Sequence, residues 1–252
     1  MAKKIKTILI SQPSPSDLKK SPFFELSQKL NLKIDYKKFF KIERLSSREF
    51  REQKIYLNDY ASVILTSRQA VDHYFSMSKD LRFSPPDTMK YFCMSETIAL
   101  YLQRYIQFRK RKIFFCNNNA DDLASLMKKH EKETFLLPCS DEHIKILPDY
   151  LASKNFSVKA AVFYRATPEN LTDVNLSKYD LLAFFSPFGI KVLKESFPDF
   201  KQEETVIAVF GESTANSVKE SGLRLDVFAP TEQFQSMTMA LEDFIVKHAK
   251  KK

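Results

Sequence analysis

A segment near residue 60 returns, without a gap, 119 residues further along the chain. The first copy, residues 59–71, reads DYASVILTSRQAV, and the second, residues 178–190, reads KYDLLAFFSPFGI. In each copy an apolar run leads to a serine, Ser67 or Ser186, and then to an amphipathic stretch. This pattern is typical of a buried parallel strand that feeds a helix. The chain is therefore predicted to repeat one strand-to-helix corner in two related α/β halves.

Ten apolar runs alternate with helical patterns and predict a parallel α/β architecture. The runs are residues 6–11, 32–36, 62–66, 91–94, 112–116, 134–138, 156–163, 180–185, 206–210 and 225–229. Since single sheets seldom reach ten strands, two domains with five-stranded parallel sheets fit better. The repeat supports this division. The apolar segments that begin at residues 134, 156 and 91 mirror those that begin at residues 7, 32 and 208, respectively. Two polar stretches, 37–45 and 164–170, are predicted to be extended linkers between the domains.

Glycine, histidine and cysteine exclude several kinds of chemistry. The three glycines in 252 residues are too far apart for a GxGxxG or GxxxxGK[ST] phosphate loop. The four histidines and three cysteines have no metal-ligand spacing, so no metal is predicted. No cysteine lies in a CxxC pair, and an odd number of cysteines favours a reduced, cytoplasmic protein.

The net charge of +9 favours an anionic partner. The basic run at 109–112 and the tail at 247–252 lack interleaved aromatic residues and are interpreted as solvated helix ends, so nucleic acid is not the expected partner. No segment is long and apolar enough for a secretory signal or a membrane span. The predicted location is therefore the cytoplasm, without membrane attachment.

Five strand-to-helix corners are candidate ligand sites, because ligands bind beyond the carboxyl ends of strands in open parallel sheets. The corners are Thr66-Ser67, residues 95–97, residues 139–141, residues 186–189 and residues 211–214. Helix N-termini offer free N–H groups to anions, so two such ends facing one crevice predict a polyanion held between two domains. Simple N-capping is the alternative for each serine or threonine. Gly189 and Gly211 either admit a ligand to the backbone or form a left-handed turn.

Tyr164 follows the predicted strand 156–163, where the chain leaves for an extended connection. Its phenol can donate a proton to a leaving hydroxyl, although an ordinary pKa of about 10 makes it a weak acid. Packing between domains is an equally open interpretation. No Ser/His/Asp set and no paired carboxylates occupy the corners, so hydrolase chemistry has no support.

Several of these segments, taken in order, resemble uroporphyrinogen-III synthases. The central stretch LLPCSD at 136–141, ILP at 146–148 and AVFYRAT at 161–167 is similar to that family, as are the corners LTSRQAV at 65–71, Ser186 to Gly189 and Gly211 to Thr214. Three positions depart from it. The family often has arginine where this chain has Gln12, and glycine where it has Ser95 and Ser140.

The resemblance implies two flavodoxin-like domains joined by two extended linkers, with residues 1–36 and 168–252 in one domain and residues 37–167 in the other. It implies a monomeric lyase without a cofactor, which cyclises hydroxymethylbilane to uroporphyrinogen III with loss of water and inversion of ring D. Tyr164 would be the proton donor. The implied substrate-binding residues are Thr66, Ser67, Thr97, Ser186, Gly189, Gly211, Ser213 and Thr214.

Two other functions remain open from the residues. A non-enzymatic two-domain binder of a small polyanion would use the same corners without Tyr164. A basic nucleic-acid-binding protein has only the net charge in its favour and predicts a steep salt dependence of binding.

Overall fold

The computed structural model describes residues 4–107, 109, 111–141 and 145–250, and for Ala249 and Lys250 it describes the backbone alone. Lys110 of the basic run, and Lys251 and Lys252 of the tail, lie outside the described residues.

Eleven strands are present in the described parts of the chain. They are β1 (Thr7–Ile10), β2 (Lys33–Tyr36), β3 (Phe40–Arg44), β4 (Ser62–Leu65), β5 (Lys90–Cys93), β6 (Ile113–Phe115), β7 (Thr134–Ser140), β8 (Ser157–Pro168), β9 (Leu181–Phe184), β10 (Val206–Phe210) and β11 (Val227–Ala229).

The described residues also form nine α-helices and several short 3-10 turns. The α-helices are α1 (Pro22–Leu30), α2 (Ser47–Glu52), α3 (Arg68–Asp80), α4 (Glu96–Tyr101), α5 (Ala120–Met127), α6 (Ile146–Ser153), α7 (Pro187–Ser196), α8 (Glu212–Glu220) and α9 (Met237–Lys250). None of the helices within the described ranges is long and apolar enough to cross a membrane.

The strands form two sheets, and the predicted α/β class is confirmed. The first sheet has the order β11-β10-β9-β1-β2 with parallel neighbours. The second has the order β3-β8-β7-β4-β5-β6, and β4 to β8 are parallel. Apart from β3, the two orders are equivalent. The internal repeat is confirmed in the elements, since β4 and β9 begin 119 residues apart, as do α3 and α7.

The prediction of five strands in each sheet is wrong for the second sheet, which has six. The additional strand is β3, in the stretch that was predicted to be a linker. The Leu45 N–H donates to the Phe163 carbonyl at 2.9 Å, and the Glu169 N–H donates to the Phe39 carbonyl at 2.9 Å. Residue numbers therefore rise along β3 and fall along β8, so β3 is an antiparallel edge strand. Its charged, half-buried sequence FKIER is typical of an edge, which is why apolarity alone missed it.

Two predicted strand ends also differ from the structure. Strand β8 continues past Phe163 to Pro168, because its last residues lie beside β3. Strand β7 continues past Pro138 to Ser140, so Cys139 is a buried strand residue rather than part of a corner.

The chain divides into two compact units, residues 1–41 with 167–252, and residues 42–166. In the first unit, one apolar cluster includes Ile8, Leu181 and Leu241, and Leu9, Leu182 and Ile207 are buried outside it. The second has a cluster on each face of its sheet. Val63 and Leu65 of β4 point into one cluster and Ile64 into the other, as the alternation of side chains along a strand requires.

Candidate functional site

The corner after β4 is formed by Thr66 and Ser67 in the second unit. Ser67 is the N-cap of α3, as the sequence predicts, and its Oγ accepts a hydrogen bond from the Ala70 N–H at 3.0 Å. Thr66 is half-buried between the strand and this cap. The capping bond uses only one of the free N–H groups of the first turn, so the remaining groups keep their positive potential.

Tyr164 lies in β8 next to this corner. Its side chain is buried at 7% exposure, and its phenol is close enough to Ser67 for that side chain to affect its pKa. Burial raises the pKa of the Tyr164 phenol, and the Ser67 side chain opposes that rise. The phenol therefore keeps its proton at neutral pH, while Ser67 favours the phenolate.

A β-bulge aims Tyr164 toward the corner. Cys139 of β7 is paired with Val162, but the next residue, Ser140, is paired with Tyr164, so Phe163 has no counterpart. As a result both Phe163 and Tyr164 belong to the same apolar cluster, although neighbouring residues normally point to opposite faces. Ser140 is buried opposite Tyr164. Sequence reasoning missed this bulge, because alternation offers no signal for one inserted residue.

The corner after β5 contains Ser95 and Thr97. Ser95 is at the N-cap of α4 but makes no capping bond, and its Oγ lies 2.9 Å from the Thr97 Oγ1. Thr97 is exposed. Strands β4 and β5 are adjacent and parallel, so the corners that contain Ser67 and Thr97 lie at the same edge of the second sheet.

The corner after β9, in the first unit, contains Ser186 and Gly189. Ser186 is the N-cap of α7 and accepts from the Gly189 N–H at 3.2 Å. Gly189 is buried, and a Cβ at this position would lie 3.2 Å from the Phe184 Cδ1. Close packing of α7 on β9 therefore accounts for this glycine. Pro187 has no N–H, which leaves the Phe188 N–H as the free donor of this turn.

The corner after β10 contains Gly211, Ser213 and Thr214. Gly211 has φ of +92° and ψ of 145°, a conformation that favours glycine, and open space surrounds the position of its missing Cβ. It leaves α8 without a side-chain cap. Ser213 is exposed at this helix start, whereas Thr214 is buried at 1% exposure. The uncapped first turn is the most open anion-binding position among the corners of the first unit.

Gln12 follows β1 in the first unit and is exposed. It lines a cavity of about 430 Å³ together with Lys20 and Tyr36. The Tyr36 hydroxyl lies 3.1 Å from the Ser21 Oγ, and Ser21 caps α1. This corner therefore presents a polar rim rather than the arginine that is frequent in the similar family.

Sequence reasoning considered His73 only as a metal ligand and missed its place beside Tyr164. The two rings are stacked with their centroids 4.6 Å apart. The available signal was the position of His73 on α3, three residues after Ala70 and four before Met77, on the buried side of the helix. Within the described ranges, no three His, Cys, Asp or Glu side chains are grouped so that they could hold a metal ion.

Comparison with solved structures places this fold in a known class. The chain is similar to a mutant uroporphyrinogen III synthase from Thermus thermophilus, with a TM-score of 0.59, 16% identity, and coverage of 98% of this chain and 100% of the other. It is equally similar to the uroporphyrinogen-III synthetase from Helicobacter pylori, with a TM-score of 0.59, 18% identity, and coverage of 98% and 99%. At these identities the likeness shows the fold: two parallel-dominated α/β sheets. A search of curated proteins finds no significant match.

The family model described as uroporphyrinogen-III synthase HemD matches residues 39–239. The chain belongs to the uroporphyrinogen-III synthase family. The predicted activity in tetrapyrrole and heme biosynthesis, the predicted class of cyclising lyase and the substrate hydroxymethylbilane are confirmed by this membership.

Proposed function

We propose that Tyr164 donates the proton with which the hydroxyl of hydroxymethylbilane leaves as water, and that the strand-to-helix corners bind the substrate's carboxylates. The observation that carries the proposal is the stacking of the buried Tyr164 ring on His73 of α3, together with the influence of Ser67, at the start of the same helix, on the phenol. This contact brings a protonated, buried phenol together with a helix N-terminus that favours anions.

The proton transfer follows from the chemistry of the leaving group. Hydroxide leaves poorly, whereas a hydroxyl that receives the Tyr164 proton leaves as water when its C–O bond breaks. The phenolate that remains is stabilised by the Ser67 hydroxyl. Because the overall reaction loses only water, ring closure must release one proton from the substrate, and that proton restores the phenol. No atom changes its oxidation state through an external reagent, so the proposed step needs no cofactor.

The proposed carboxylate contacts differ between the corners. At α8, the N–H groups of the first turn have no side-chain cap, and Gly211 leaves open space beside them, so a carboxylate can approach the backbone. Ser213 adds an exposed hydroxyl there. At α3 and α7 the caps Ser67 and Ser186 use one N–H each, which leaves fewer donors. Thr66, Thr97, Gly189 and Thr214 remain proposed contacts: Thr97 is exposed, Thr66 is half-buried, and Gly189 and Thr214 are buried.

Further parts of the proposal concern the whole protein. The strand order β2-β1-β9-β10-β11 and its equivalent in the second sheet support two flavodoxin-like domains. The chain passes between the compact units once within β3 and once within β8, which supports two extended linkers with domain boundaries near residues 36 and 167. We further propose a cytoplasmic monomer that does not bind nucleic acid; its three free cysteines are compatible with a reducing compartment.

The Tyr164→Phe variant tests the proton transfer. It removes the ionisable hydroxyl and keeps the ring, so kcat for type III product should fall by on the order of 10²-fold, while KM changes little. The measurement is the rate of cyclisation together with the ratio of type III to spontaneous type I isomer. A full rate of type III formation by this variant would exclude Tyr164 as the donor.

Ser213→Ala is the matched contrast at the α8 corner. The variant loses an exposed hydroxyl that is proposed to contact a carboxylate, so KM should rise by about fivefold with kcat unchanged, on the scale of one hydrogen bond. An unchanged KM in Ser213→Ala would remove this hydroxyl from the binding site without affecting the role of Tyr164.

A further inference from the structure

The imidazole of His73 is stacked on the phenol ring of Tyr164. The ring centroids are 4.6 Å apart and the planes differ by 24°. His73 is in the second turn of α3, and Tyr164 is in β8, so the contact joins a helix and a strand of the second unit. A stacked contact of this kind restrains the plane of the Tyr164 ring.

Two residues of one helix act on Tyr164. Ser67 caps α3 and lowers the pKa of the phenol, while His73, six residues later, covers the ring face. We propose that His73 is a positioning residue for the cyclisation, which holds the Tyr164 ring in the plane from which its hydroxyl can reach the substrate. This inference rests on the proposed role of Tyr164 as proton donor.

The charged groups around His73 are held by other partners. Arg44 of β3 binds Asp80 at 3.0 Å and the Ser76 Oγ at 2.7 Å. Asp72, the neighbour of His73 on α3, accepts hydrogen bonds from the Tyr101 hydroxyl at 3.0 Å and the Tyr105 hydroxyl at 2.6 Å. These bonds hold the Arg44 guanidinium and the Asp72 carboxylate, the charged groups that act on the pKa of His73.

His73 is uncharged at neutral pH. Burial lowers the pKa of its imidazole, Asp72 acts in the opposite direction, and Arg44 lowers the pKa further. The stack is therefore between two neutral aromatic rings. Phenylalanine reproduces a neutral aromatic face, which makes His73→Phe a conservative variant, whereas His73→Ala leaves the Tyr164 ring uncovered.

The test compares the two variants in steady-state cyclisation of hydroxymethylbilane. For His73→Ala, kcat for type III product should fall by about tenfold, since misplacing a reacting group is costly, and KM should stay within about twofold. For His73→Phe, kcat should stay within about threefold of the parent. His248→Ala is the matched control, because His248 stacks on Phe244 in α9 of the other unit at 5.4 Å and 22°; its kcat should not change.

A double variant shows whether His73 acts through the phenol. If it does, adding His73→Ala to Tyr164→Phe should cause no further loss of rate. Three results would overturn the positioning role of His73 if Tyr164→Phe is impaired. They are an unchanged kcat in His73→Ala, a loss in His73→Phe equal to that in His73→Ala, and additive losses in the double variant. The proposed role of Tyr164 would not be affected by any of them. A full rate in Tyr164→Phe would overturn the proposed donor and this inference with it.

Discussion

The hydroxyl of Tyr74 is buried without a hydrogen-bond partner among the described residues. Tyr74 is fully buried on α3, and the nearby Ser78 hydroxyl donates to the Tyr74 backbone carbonyl at 2.8 Å instead. A buried polar group without a partner costs free energy, because it loses its hydrogen bonds to water and gains none in the fold. We therefore expect Tyr74→Phe to raise the free energy of unfolding by about 1 kcal/mol. Urea denaturation at neutral pH measures this change.

Tyr179→Phe is the control for that prediction. The Tyr179 hydroxyl donates to the Asp35 carboxylate at 3.0 Å, so its removal should lower the free energy of unfolding by about 1 kcal/mol. The two substitutions are chemically identical and should have opposite signs. A loss of stability in Tyr74→Phe as large as that in Tyr179→Phe would show that Tyr74 has a partner in solution.

For single residues, the sequence predicted where a residue lies better than it predicted the structural role of that residue. Ser67 and Ser186 were predicted at helix starts, and both are N-caps. Gly189 and Gly211 carried the same two interpretations, yet only Gly211 has a positive φ, while Gly189 makes room for Phe184. Which residue faces a glycine depends on tertiary packing, and no local pattern encodes it.

A hydrogen-bonded network joins the beginnings of three strands in the second sheet. Glu133, just before β7, accepts hydrogen bonds from Lys90 of β5 and from Ser62 of β4, and its Oε1 lies 2.9 Å from the His130 Nδ1. Although burial raises the pKa of Glu133, the bonds from Lys90, Ser62 and His130 together hold it below 4.5. The network therefore stabilises the fold more when Glu133 is ionised than when it is protonated.

The sign of the pH dependence follows from the lowered pKa. The stabilisation is fully present above about pH 4.5 and is lost as the pH falls through the lower pKa of the folded state. Glu133→Gln should thus reduce the free energy of unfolding by about 1 kcal/mol at pH 7, and the difference from the parent should shrink below pH 4. Thermal unfolding of the parent and of Glu133→Gln across this pH range measures the difference in stability.

Glu131→Gln provides the matched control, because Glu131 is exposed and two residues away. It should leave the pH dependence as in the parent. If Glu133→Gln and Glu131→Gln show the same pH profile, the network makes no net contribution to stability.

Among the elements, the prediction succeeded where strands are apolar and failed where they are not. All ten apolar runs are strands, because burial on both faces of a parallel sheet demands continuous apolar residues. Strand β3 and the last part of β8 are paired with each other at an edge, where one side is open to water and polar residues are tolerated. Composition therefore gave no signal for them.

At the scale of the whole molecule, three apolar clusters of the described residues each draw their members from one compact unit. The cluster around Ile8 and Leu241 comes from residues 1–41 and 167–252, and both clusters of the second sheet come from residues 42–166. The tandem repeat alone would suggest a single boundary near the middle of the chain. The related halves are instead interleaved, since β1 from the N-terminal part of the chain pairs with both β2 and β9 in one sheet.

A unit that contains its whole core should fold without the rest of the chain. We expect a fragment of residues 38–168, which keeps β3 and β8 complete, to give a dispersed NMR spectrum and one cooperative thermal transition, since its length is typical of a domain. A fragment of residues 46–168 lacks β3 and exposes the edge of β8, so it should unfold at a lower temperature. If the longer fragment is unfolded while the full chain is folded, the second unit depends on contacts outside its own cores. If both fragments unfold at the same temperature, β3 serves to connect the units and adds no stability to the sheet.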